Sequence, residues 1–166
     1  MTAVSLRPEA TQDHAAIFDV TEAAFRDMPY ADGDEAELVG KLRDAGDLTL
    51  SLVAENGGHI VGHIAFSPVT ISDGTGDWYG LGPVSVTPEL HGQGIGFRLV
   101  QRGIADMRAL GAKGIVLLGD PKYYGRFGFR HEPQLAYPGP PAEYFQCMVL
   151  EGDLPSGVVS YAPAFG

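Results

Sequence analysis

The sequence is short of sulfur, of positive charge and of long apolar runs, and each shortage excludes something. A single cysteine, Cys147, leaves no intramolecular disulfide framework and no multi-cysteine zinc site. No apolar stretch approaches the length of a membrane span. Eleven Lys and Arg stand against 21 Asp and Glu, for a net charge of −10, which argues against non-specific contact with nucleic acid or an anionic membrane. The opening "MTAVSLRPEATQDH" is polar almost at once and lacks the basic-then-apolar pattern of an export signal, so cytoplasm is the default compartment. Glycine and proline are plentiful, at 23 and 12, but scattered, so they read as turns rather than low complexity. At 166 residues and 45% hydrophobic content, the chain is expected to fold as one domain, 1–166, with a real core.

The few positive charges are not spread evenly. Seven of the eleven fall between Arg98 and Arg130, a stretch that carries +5 while the rest of the chain carries −15. A small phosphorylated ligand would suit such an island, and so would an ordinary basic helix face exposed to solvent.

Periodicity gives the order of elements. "AVSLR" opens as a strand, and Asp13 to Phe25 reads as a helix burying Ile17, Val20, Ala24 and Phe25. A second helix is expected from Asp34 to Ala45, burying Leu38, Val39 and Leu42. "LTLSLVAENGGHIVGHIAF" alternates, turns at Asn56-Gly57-Gly58 and alternates again, as a hairpin does. "WYGLGPVSV" is a further strand, with a bulge or splay expected at Gly82-Pro83 because proline cannot donate to a ladder. A helix from about Gly94 to Leu110 follows, with Ile95, Leu99, Val100, Ile104 and Met107 inside. "GIVLLGD" reads as an interior strand, and "DPKYYGRFGF" as a one- or two-turn helix with Asp120 as N-cap and Gly128 at its end. "EPQLAYPGPP" reads as a loop, "YFQCMVL" as a strand, and "GVVSYAPAFG" as an edge strand or a surface segment. The class is mixed α/β.

Three glycines crowd the stretch "HGQGIGFRLV" directly before a helix. Glycine costs conformational entropy, so such a run needs a geometric reason. A strand, a glycine-rich turn and a helix N-terminus together form an anion site, because first-turn amides lack intrahelical partners and the helix dipole adds positive potential. The dinucleotide fingerprint fails, since Phe97 stands where a third glycine is required, and the P-loop fails because no Gly-Lys-Ser/Thr follows. Arg98 and Arg102 lie four apart, on one helix face, and are candidates to assist a bound phosphate.

"LGPVSVTPELHGQGIGFRLV" resembles the acyl-CoA-binding motif of the GNAT superfamily of acetyl-CoA-dependent N-acetyltransferases, and "DPKYYGRFGF" resembles that family's second signature. Nearly the whole chain is similar to the YhbS-like subgroup. The resemblance implies a single-domain GNAT fold, with a mixed central sheet of about six to seven strands flanked by helices. It implies that Val84 and Val86 hold the pantetheine arm through the backbone, with Ser85 between them also in the cofactor site. His91, Gly92, Gln93, Gly94, Ile95, Gly96, Phe97 and Arg98 would surround the diphosphate, the amides of Gly92 through Gly96 holding it, with Asp120 and Tyr124 completing the cofactor site. Glycines there would let the amides crowd the diphosphate without side chains intervening. His91 departs from the Gln or Arg usual at its position. The implied activity is acetyl transfer from acetyl-CoA, as cosubstrate, to a primary amine in a ternary complex, with no metal and with Tyr124 as general acid. A non-catalytic acyl-CoA-binding or regulatory module of the same fold is the rival reading. No nucleic-acid or membrane partner is expected, and the resemblance leaves a homodimer open.

Other residues have duller readings. Tyr123 is the alternative donor if the register shifts by one. His59 and His63 fall four apart, on one strand face, but no third metal ligand accompanies them. His63 could be a substrate-side base, against the commoner reading of an exposed or packed histidine. Cys147 reads as a buried thiol, and Glu22 and Glu143 as solvated carboxylates that could also meet an amine. The acceptor would lie against the acidic N-terminal half, near "FRDMPYADGD".

Overall fold

The computed structural model describes residues 3–26, 28 and 33–166. Nine strands and four α-helices are found among them: β1 (Val4–Pro8), α1 (His14–Phe25), α2 (Glu35–Asp44), β2 (Leu50–Asn56), β3 (His59–Pro68), β4 (Thr70–Ile71), β5 (Trp78–Val86), α3 (Ile95–Ala109), β6 (Gly114–Leu118), α4 (Pro121–Tyr124), β7 (Leu135–Ala136), β8 (Phe145–Val149) and β9 (Gly157–Ser160). Six strands form the main sheet in the order β1-β2-β3-β5-β6-β8, antiparallel throughout except for β5 beside β6.

Alternation along the strands divides the apolar residues between two layers. On one face α3 lays Leu99, Val100, Ile104 and Met107 against Leu52, Ile64, Phe66, Ile115 and Leu117. Ile17 of α1 and Val39 of α2 pack against Val53, the neighbour of Leu52, so these helices cover the opposite face. Thr21 is buried in α1 and donates to the Ile17 carbonyl at 2.7 Å, whereas Phe25, expected inside, is half-exposed. Leu38 is likewise only half-buried.

Two expectations about the C-terminal third need correction. The proline-rich loop contains β7, and β9 is no edge strand: it is the middle of a second sheet, ordered β4-β9-β7. Leu135, Val159 and Ile71 from these three short strands join Trp78, Val116 and Phe145 in a second core. Strands of two to four residues carry too little alternation to be read from sequence.

Strand β5 is the element that shapes the site. It pairs with β3 up to Val86, with a register irregularity opposite Ala65 where Gly82 and Pro83 intervene. Against β6 it pairs only through Trp78, Tyr79 and Gly80. Beyond that point β6 is held from its other side: Leu117 and Leu118 pair with β8, the Gly119 amide donates to the Tyr144 carbonyl at 3.0 Å, and Gln146 donates to the Gly119 carbonyl at 3.0 Å. The sheet therefore opens between the C-terminal halves of β5 and β6.

Candidate active site

The alternation of backbone groups along β5 decides which residues face the opening. The Thr87 amide donates to the Val61 carbonyl at 2.8 Å, so the backbone of Thr87 and Ser85 points at β3. Val84 and Val86 then turn their amides and carbonyls the other way, into the gap. Both line a cleft of about 850 Å³, whose walls include residues 90–98 as well as Ala24, Met28, Tyr123 and Arg126.

The glycine turn forms the floor of the cleft. Gly94 is the N-cap of α3 with φ 81°, and Gly92 has φ 80°. A Cβ at either would meet nothing within 4 Å, so these two glycines are required by backbone conformation rather than by space. Gly96 is different: a Cβ there would sit 3.5 Å from Tyr123 Oη and 3.6 Å from Val86 Cγ2. The first intrahelical bond is Arg98 N to Gly94 O at 3.0 Å, and the amides of Gly92 through Phe97 find no acceptor among the described residues. Six bare donors at a helix N-terminus fit a diphosphate.

The expected residues divide around this cleft. His91, Gln93, Ile95, Phe97 and Arg98 line it with the glycines. His91 also shares a hydrogen bond with the Val86 carbonyl, Nε2 to O at 2.7 Å, and so tethers the turn to the β5 edge. Ser85 does not face the cleft: its side chain is 1% exposed, on the same sheet face as His63, with no partner for Oγ among the described residues. Asp120 caps α4, accepting from the Lys122 amide at 2.9 Å. Arg102 is not among the residues lining the cleft; its guanidinium is engaged with Asp106 at 3.0 Å and reaches the Leu6 carbonyl.

The two tyrosines occupy different places. Tyr123 lines the cleft beside Gly96, while Tyr124 is packed inward, its ring edge-on to Tyr123 at 4.9 Å and to Phe129 at 6.1 Å. A Cβ on Gly119 would overlap the Tyr124 ring, so the end of β6 presses directly on that side chain. Burial, with a smaller contribution from the Tyr123 phenol, pushes Tyr124 up to about 12. Its hydroxyl finds no hydrogen-bond partner among the described residues.

His63 is neither an exposed group nor half of a pair with His59. The β2–β3 register slips between Ala54 and Glu55, which breaks the alternation between the two histidines; His59 is exposed and His63 fully buried. Sequence reading missed its partners entirely. Ser51 Oγ donates to Glu9 Oε1 at 2.5 Å and lies 2.7 Å from His63 Nε2. With its one proton given to Glu9, Ser51 can only accept from His63, so Nε2 carries the imidazole proton and Nδ1 is a bare acceptor. Glu9 is also gripped by Arg43 at 2.9 Å and by His14 at 3.1 Å. Burial raises the Glu9 carboxyl, but Arg43 and Ser51 outweigh it and hold it below the ordinary value.

Cys147 is buried as expected, and burial pushes its thiol up to about 11. Glu22 and Glu143 are exposed, and Glu22 pairs loosely with Arg26 at 3.6 Å. Asp27 and residues 29–32 of the anticipated acceptor loop lie outside the described residues. Beside that segment, a cavity of about 330 Å³ between α1 and α2 is lined by Phe18, Glu22, Phe25, Glu35 and Glu37 among others, and it shares Met28 with the cleft. No helix among the described residues is long and apolar enough to cross a membrane, and none of their His, Cys, Asp and Glu side chains gather in threes that could hold a metal.

Comparison with known proteins agrees with this geometry. The family model described as Acetyltransferase (GNAT) family matches residues 14–129. A curated relative, the uncharacterized N-acetyltransferase YhbS of Escherichia coli K12, is 39% identical over 129 residues, covering 75% of this chain and 77% of that protein. Among solved structures, a GNAT family acetyltransferase from Brucella melitensis in complex with acetyl-CoA matches with TM-score 0.89 and 49% identity, over 99% of both chains. Escherichia coli YhbS in complex with CoA matches with TM-score 0.87 and 33% identity, over 99% of this chain and 93% of that one.

Proposed function

The chain belongs to the GNAT acetyltransferase family, and from that footing we propose that it moves an acetyl group from acetyl-CoA to a primary amine by direct attack in a ternary complex. The observation that carries this reading is the open edge of β5, set beside the bare amides at the start of α3. The amides of Gly92 through Phe97 suit the diphosphate, and the outward backbone groups of Val84 and Val86 suit the amides of a pantetheine arm laid along the strand. His91 already bonds one of those groups, the Val86 carbonyl, so the arm either shares that oxygen or displaces the imidazole.

Aminolysis of a thioester forms a C–N bond and breaks C–S, and the departing thiolate must be met by a proton. Tyr124 is the donor in this reading. At about 12 its phenol is protonated throughout the neutral range. Taken alone, that value makes transfer to an ordinary thiolate, near 8.5, uphill by about 3.5 pKa units. The desolvation that raises the phenol also raises the proton affinity of a sulfur beside it, which narrows the gap. A cationic amine loses one proton before attack and a second from its nitrogen after it, both to solvent or base, while the phenol that protonates the thiolate is reprotonated from solvent, so the cycle closes with amide, free thiol and one proton released.

The acceptor in this reading approaches between α1 and α2, where Glu22, Glu35 and Glu37 stand beside Phe18 and Phe25. That lining suits a cationic amine with an apolar body.

Tyr124→Phe tests the assignment by release of free CoA thiol with a panel of primary amines. Loss of the acid is expected to lower kcat on the order of 10²–10⁴-fold while acetyl-CoA affinity stays within about threefold. An unchanged kcat removes Tyr124 from the mechanism and makes Tyr123 the next donor to test. A folded wild-type protein that binds acetyl-CoA but turns over no amine favours the binding-module reading.

A further inference from the structure

Three buried side-chain atoms have no hydrogen-bond partner among the described residues: His63 Nδ1, Ser85 Oγ and Ser67 Oγ. Leaving such atoms unpaired is costly, so each calls for an occupant. Two of them belong together. His63 and Ser85 are directly opposed in the β3–β5 register, on the sheet face that α1 covers, and neither is more than 1% exposed. Opposed side chains start about 5 Å apart at Cβ, yet these two do not bond each other. The space between a bare imidazole acceptor and a hydroxyl suits one water molecule, which needs at least two polar partners. Thr21, buried one turn after Ile17 in α1, also lines the cavity between α1 and α2 and so brings that cavity to the same face.

On its other side His63 is already linked outward. Nε2 donates to Ser51 and Ser51 donates to Glu9, and both of these line a separate groove of about 320 Å³ with Arg43, Leu48 and Thr49. The charged groups around the imidazole are Glu9, after β1, and Arg43 of α2, with His14 of α1 against Glu9; β5 places only Ser85 opposite it. We propose that a buried water joins Ser85 Oγ to His63 Nδ1, and that this water, His63, Ser51 and Glu9 relay protons from the acceptor cavity to the groove at Glu9. The inference rests on the transferase reading and supplies the proton acceptor for the amine. The ammonium gives a proton to the water as the water gives one to Nδ1. The Nε2 proton passes to Ser51 and the Ser51 proton to the Glu9 carboxylate, which releases it to solvent in the groove. Amine and imidazole are then both neutral, the latter with its proton on Nδ1. Once product leaves, the hops reverse: Glu9 takes a proton from solvent, Nε2 regains one through Ser51, and Nδ1 returns its own through the water to the emptied cavity. Burial disfavours the charged imidazole, so the ring hands protons on instead of holding them.

Steady-state rates against pH, with a panel of primary alkyl- and arylalkylamines, test the relay. His63→Gln keeps a donor for Ser51 and an acceptor for the water, but an amide cannot pass a proton through. Wild-type kcat is expected to vary less than about threefold between pH 7 and 9. His63→Gln should be at least about tenfold slower at pH 7 and converge on the wild type as pH approaches the pKa of the amine, where the acceptor arrives already neutral. Its KM for acetyl-CoA should stay within about twofold. Ser85→Ala, which breaks no side-chain hydrogen bond among the described residues, should show the same pH-dependent loss. An unchanged rate, or a loss equal at every pH, overturns the proposal. A crystal structure should place a water within about 3.2 Å of both His63 Nδ1 and Ser85 Oγ, and a dry gap there overturns it as well. A wild type that binds acetyl-CoA but acetylates none of the amines removes the transferase reading and the relay with it, a result distinct from an active wild type with unaffected variants.

Discussion

His63 should make the fold lose stability as pH falls from about 6.5 toward about 4. The imidazole is fully buried, and desolvation drops it from its ordinary 6.5 to about 4; Glu9 opposes that shift and Arg43 adds to it. Between those two values the unfolded chain takes up a proton that the native chain does not. Stability is therefore complete above about pH 6.5 and declines as pH falls toward 4, by at most ~1.4 kcal/mol per pH unit. Over the whole window the loss is on the order of 3 kcal/mol, of which about 2 kcal/mol falls between pH 7 and 5. Glu9 and Asp13 act in the same direction but at lower pH: both are held below their ordinary 4.5 and 3.8, so their contributions disappear only as pH falls through those lower values. Urea denaturation at pH 7 and pH 5, for the wild type and for His63→Gln, isolates the imidazole. Glutamine can still donate to Ser51 but does not titrate. The variant should lose about 2 kcal/mol less than the wild type over that interval. Equal losses in the two proteins would refute the claim that His63 is buried in its neutral form.

Two helix glycines should respond in opposite ways to the same methyl group. At Gly103, on the inner face of α3, a Cβ would lie 2.5 Å from Phe66 Cε1, in a ring that cannot retreat because it is fully buried. Gly103→Ala is expected to cost about 1–3 kcal/mol in chemical denaturation. Gly40, in α2, has nothing within 4 Å of its Cβ position, so Gly40→Ala should instead stabilise by up to about 1 kcal/mol through helix propensity. Matching signs would show that the close packing of α3 on β3 is misplaced.

The sequence carried the elements with strong local signatures and missed those made by long-range contact. Asn56-Gly57-Gly58 marked its hairpin, Asp120 and Pro121 marked the start of α4, and Gly82-Pro83 marked the irregularity in β5, because turn and cap chemistry is local. The cleft was legible for a related reason: the strand, turn and helix that build it are consecutive in the chain. Ser85 turns its side chain to the face of His63, because adjacent strand residues face opposite sides, and no pattern in "VSV" says which residues turn their backbone to the open edge. Arg102 shares a helix face with Arg98 but is taken by Asp106, four residues on, a competition that charge counting alone did not weigh. The Glu9–Ser51–His63 chain joins three elements whose adjacency exists only in the folded sheet, so no spacing could announce it. Arg126 reaches the cleft across the fold, drawn to Phe97 from 29 positions away.

The most direct measurement is calorimetric titration of acetyl-CoA into the wild type and into Gly94→Val. Valine at φ 81° is strained, so it would disturb the turn that presents the α3 amides while leaving the core residues of the helix in place. The account predicts saturable one-to-one binding by the wild type, and affinity at least about tenfold weaker in a variant that remains folded by circular dichroism. Undiminished binding by Gly94→Val, or none by the folded wild type, would contradict the claim that the glycine turn and the open edge of β5 together form the acetyl-CoA site.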